Sequence, residues 1–128
     1  MADSTLANIL MDLARQDLLV LGKLIDDQEV ADAVLGFHAQ QAVEKALKAV
    51  LAHAGVAHRR THDIAELLDL LTDTGLTSPP HADVLDELNP YAVEMRYGLI
   101  QPSGLNRQET LVMVYEVVAW ASKQTGQP

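Results

Sequence analysis

Four polar side chains, His38, Gln41, Lys45 and Lys48, follow one another at intervals of three, four and three residues. At about 100° per residue on a helix they fall within an arc of about 80° and form one continuous stripe. Glu44 flanks the stripe and is placed to pair with Lys48 one turn on. From Lys45 to Arg60 the chain carries no acidic residue, while Lys45, Lys48, Arg59 and Arg60 are basic and His53 and His58 can become so. Ammonium and imidazole groups gathered on one face suit a small anion, a phosphate above all, or an acidic partner. Metal-free cleavage of RNA asks for more, namely a base to activate the 2′-hydroxyl and a cation on the phosphate. His62 and Arg96 are the pair that could supply both if the fold brings them together. The expected anion-binding set is therefore His38, Gln41, Lys45, Lys48, His62, Asp63, Arg96 and Tyr97. Plainer readings compete, since any amphipathic helix shows a solvated polar face and Asp63 is adequately explained as a helix N-cap.

Several classes of chemistry drop out. There is no cysteine, which removes disulfides, thiolate catalysis and Cys-based zinc sites. His58 and His62 are four apart but straddle a loop and a helix start, so no metal site and no cofactor is expected. No Gly-rich phosphate loop and no Ser/His/Asp order stands out. A net charge of −9 argues against broad phosphate contacts along a nucleic-acid duplex. The N-terminus lacks a basic region followed by an apolar run, so neither signal peptide nor spanning helix is expected and the location is expected to be cytoplasmic.

The elements that must position these groups are helices. Apolar residues make up 48% of the 128, dominated by Ala, Leu and Val, and one domain covering residues 1–128 is expected. Apolar spacing predicts a first helix over Thr5–Leu24, capped by Ser4 or Thr5, and a long second helix over Glu29–Ala54 closed by Gly55. A third begins near Asp63, with Glu66 reaching back in a capping box, and stops before Gly75. A fourth covers Ala82–Arg96 with a kink or break near Asn89 imposed by Pro90, and a fifth covers Arg107–Lys123. On the last helix Val112, Tyr115, Val117, Val118 and Trp120 are expected mostly in the core. Any surplus apolar strip on the first or last helix is expected to form a dimer interface. Short connections make the whole an all-α, antiparallel up-and-down bundle of about five helices.

The run Phe37-His38-Ala39-Gln40-Gln41-Ala42-Val43-Glu44-Lys45-Ala46-Leu47-Lys48, continued to Val56, then Arg60-Thr61-His62-Asp63 and Tyr91-x4-Arg96-Tyr97, resembles the HEPN family. The branch it most resembles is the one found beside minimal nucleotidyltransferases. The resemblance spans about Leu6 to Trp120. It implies a helical bundle, commonly a homodimer without metal. It also implies a nucleotidyltransferase partner encoded nearby, in a two-gene module of toxin–antitoxin type. Some branches are metal-independent ribonucleases bearing Arg-x4–6-His, whereas others bind nucleotide, RNA or a protein partner. None of the five arginines here, Arg15, Arg59, Arg60, Arg96 and Arg107, is followed by histidine at that distance. The expected role is thus a non-catalytic subunit that binds nucleotide, phosphate or partner, with a ribonuclease toxin of non-standard site as the alternative.

Overall fold

A computed structural model describes residues 2–92 and 104–127; Arg96 and Tyr97 lie outside the described residues. Four α-helices and one 3-10 segment occur among them, with no strand: α1 (Ser4–Leu24), α2 (Asp32–His53), α3 (Ile64–Asp73), the 3-10 segment Leu85–Ala92, and α4 (Arg107–Gln124). They form an all-α antiparallel helical bundle. Helix α2 runs through its middle, packed against α1, α3, α4 and the 3-10 segment.

The central position of α2 follows from its composition. Leu35, Val43, Leu47 and Leu51 are fully buried, as are Ala39, Ala42, Ala46 and Ala49. On the wheel the alanine ridge lies beside His38 and Lys45, the side tied to α1 through Asp17. Small side chains there let two helices approach closely. On another side, Gly36 makes room for the ring of Tyr91, into which a Cβ would run.

Helix ends differ from the expected ones where a side chain finds a better use. Asp3, not Ser4 or Thr5, caps α1 by accepting from the Leu6 N–H at 2.9 Å. The second helix starts at Asp32 rather than Glu29, because Asp27 Oδ1 accepts from the Glu29 N–H and holds a turn ahead of an extended Ala31. Asp63 caps α3 as expected, but Glu66 takes Arg59 rather than closing a capping box. The fourth expected helix is not an α-helix over its described part. A turn with His81 at φ 62° leads into the 3-10 segment, which contains Pro90. Proline has no N–H to give to residue 86, and the shorter 3-10 repeat accommodates it. Asn89 then serves elsewhere, accepting from the Ile64 N–H and donating to Asp63. Arg107 ties the start of α4 to the α1–α2 turn, donating to Asp32 and to the carbonyls of Ile25, Asp27 and Val30.

Candidate functional site on the polar face of helix α2

The polar stripe is real, and it is divided between two buried or half-buried carboxylates. The first is Asp17 of α1. Its Oδ1 lies 3.0 Å from His38 Nδ1 and its Oδ2 accepts from Lys45 Nζ at 2.7 Å. All three side chains are largely shielded, at 13%, 25% and 23% exposure for Asp17, His38 and Lys45. The Phe37 ring meets His38 edge-on at 5.4 Å.

The second carboxylate is Glu44, only 4% exposed. It accepts from Gln40 Nε2 at 2.9 Å and from Lys48 Nζ at 3.1 Å, and its Oε1 lies 2.9 Å from His62 Nδ1. A carboxylate removed from water needs this many donors to remain charged without heavy cost. Gln40, fully buried, also donates to the His62 carbonyl at 3.2 Å and accepts from Gln41. The loop before α3 is thereby fastened to α2 through both its backbone and its imidazole.

Facing carboxylate oxygens, which accept, Nδ1 is the donor nitrogen of His38 and of His62, and Nε2 is left as the second nitrogen of each ring. The His62 ring is 63% exposed. His58 lies near the same cluster. Burial, and then the Lys48 charge, lower its pKa from the ordinary 6.5, against opposing contributions from the Val56 carbonyl, Glu66 and Glu44.

Of the expected residues, His62, Lys48 and Gln41 meet at the Glu44–Gln40 end, and His38 with Lys45 at the Asp17 end. Asp63 is turned to the start of α3 and to Asn89. Arg96 and Tyr97 fall outside the described residues. Asp17 and Gln40 were not predicted. Gln40 carried a local signal, a polar residue at the edge of an apolar face, whereas nothing at Asp17 separates it from Asp12, the other carboxylate of α1. Among the described residues no group of three or more His, Cys, Asp or Glu is placed to hold a metal ion, and no helix is long and apolar enough to cross a membrane.

A central helix whose polar strip is cross-linked to its neighbours, inside an all-α bundle, defines the class. The HEPN domain model matches residues 7–124, and the chain belongs to that family. Among curated proteins and solved structures, none matches the chain.

Proposed function

We propose that this HEPN-family chain is a non-catalytic subunit that binds a nucleotide or another phosphate-bearing ligand along the strip His38–Gln41–Lys45–Lys48–His62. It acts in the cytoplasm with a nucleotidyltransferase encoded nearby, in a toxin–antitoxin-like pair. The observation that carries this reading is the fixed presentation of Lys45, Lys48 and two imidazoles on one side of α2. An ammonium has three hydrogens, so the bonds to Asp17 and Glu44 leave Lys45 and Lys48 further donors. Preorganised donors lose little freedom on binding. Absence of Arg-x4–6-His supports binding over cleavage.

A second copy covers Leu6, Ile9 and Leu13, which are 41%, 52% and 45% exposed at spacings of three and four on α1. Asp17 lies one turn beyond Leu13 on the same side, so a dimer formed there borders the strip. Calorimetric titration with nucleotides tests the site: Lys45→Ala and Lys48→Ala each weaken binding with the helical signal unchanged. Equal affinity in both variants sinks the reading.

One observation favours a ribonuclease instead. His62 resembles an oriented general base, its Nδ1 2.9 Å from Glu44 Oε1 on a side chain that is 63% exposed. RNA cleavage in the presence of EDTA, abolished by His62→Ala, would establish that activity in place of simple binding.

A further inference from the structure

On the far side of α1 from the Leu6–Leu13 stripe, α1 and α4 leave an apolar groove of about 620 Å³. Leu19, Val112 and Tyr115 stand along it at 49%, 56% and 62% exposure. Gly22 forms part of its wall, where even a Cβ would only touch Leu111 at 4.0 Å. Arg15 and Lys23, the two cations of α1, both line it, and no carboxylate does. The carboxylate of Asp12 lies 3.5 Å from Arg15, so the charges of Asp12, Arg15 and Lys23 sum to +1 in a chain of net charge −9.

We propose that this groove receives an amphipathic helix of a separate protein, with apolar residues at i, i+3 or i+4, and i+7 and carboxylates on its flanks. Arg15 and Lys23 are eight residues apart, roughly 12 Å along the axis at about 1.5 Å per residue. That is the reach of two helical turns, the distance between the first and last anchors of such a segment. The apolar anchors bury Leu19, Val112 and Tyr115, and the flanking carboxylates meet the two cations. A second copy fits less well. In a two-fold dimer the same patch meets itself, and the carboxylate beside the lining, Asp12, is already paired with Arg15 of its own helix. The surface is also distinct from the polar strip, so its occupant can bind while the strip is filled.

The test uses the full chain and two stapled helical peptides. Both carry leucines at i, i+3, i+4 and i+7; one has glutamates along both flanks and the other lysines. Fluorescence anisotropy is expected to show the glutamate peptide binding about tenfold or more tightly than the lysine peptide. Amide shifts should map to Leu19, Gly22, Val112 and Tyr115. Tyr115→Asp, at an exposed position that leaves the unfolding midpoint in place, removes binding, and Arg15→Glu with Lys23→Glu reverses the peptide preference. Three results overturn the proposal: no binding of either peptide, equal binding of both, or shifts confined to other surfaces. A fourth is sedimentation showing that Tyr115→Asp turns a wild-type dimer into a monomer, because the groove then belongs to a second copy.

Discussion

Helices α1 and α2 are nearly equal in length, at 21 and 22 residues, yet four residues of α1 are buried against thirteen of α2. The contrast comes from position. Helix α2 has neighbours on most sides, so every polar group it carries inward must find a protein partner. That requirement produces the Glu44–Gln40–His62–Lys48 cluster. Helix α1 packs on α2 and α4 and otherwise lies at the edge. It keeps its apolar surplus in the open, as two separate strips. Polar side chains with buried partners thus collect on the enclosed helix, and exposed apolar strips on the edge helix.

The largest expected effect sets a carboxylate of one helix against a carboxylate of the other. Glu44→Ala strips a buried acceptor from Lys48, His62 and Gln40 and should cost about 3 kcal/mol in denaturant unfolding. Asp12→Ala, whose side chain is 78% exposed and 3.5 Å from Arg15, should cost no more than about 0.5 kcal/mol. Similar losses at both positions would erase the distinction between the helices.

Glycines give the next comparison. Gly36→Ala drives a methyl into the Tyr91 ring and should lose about 2 kcal/mol. Gly22→Ala, with only Leu111 at 4.0 Å, should gain about 0.5–1 kcal/mol through helix propensity. Melting temperatures of the two variants should therefore move in opposite directions.

Ile9→Asp with Leu13→Asp should abolish self-association in sedimentation velocity while shifting stability by no more than about 0.5 kcal/mol per site. A dimer that survives both changes is formed elsewhere. The smallest effect is in pH. Because the folded state disfavours charged His58, its contribution is complete above 6.5 and is lost as pH falls from 6.5 toward the lower folded value. An NMR titration should place the His58 midpoint below 6.5, and Lys48→Met should raise it.

Most of the bundle was legible because helix periodicity is a local signal. The starts of α1 and α4 follow from their apolar faces, and the apolar side read on α2 is the buried one. Pro90 correctly marked a disruption, but a local rule could not say that the segment before it would coil as 3-10. Val117, Val118 and Trp120 lie in or against the core as expected of most of that set, while Val112 and Tyr115 are exposed, because apolar character alone does not reveal which face of an edge helix has a neighbour. The stripe on α2 was readable from spacing. Its division was not, since Asp17 reaches His38 and Lys45 from 21 and 28 residues away.

The paired bonds of Asp17 act as a resident competitor for any visiting anion. One oxygen holds His38 and the other holds Lys45, so a ligand arriving at either finds a carboxylate already seated. Glu44 guards Lys48 and His62 in the same way. A monovalent ion such as chloride gains little by sharing such a cation. A doubly charged, multidentate group can engage donors on both clusters at once and so outbid the internal partners. Under the proposed binding role the strip would therefore act as a threshold, unresponsive to the bulk salt of its surroundings and answering ligands with several oxygens in fixed array.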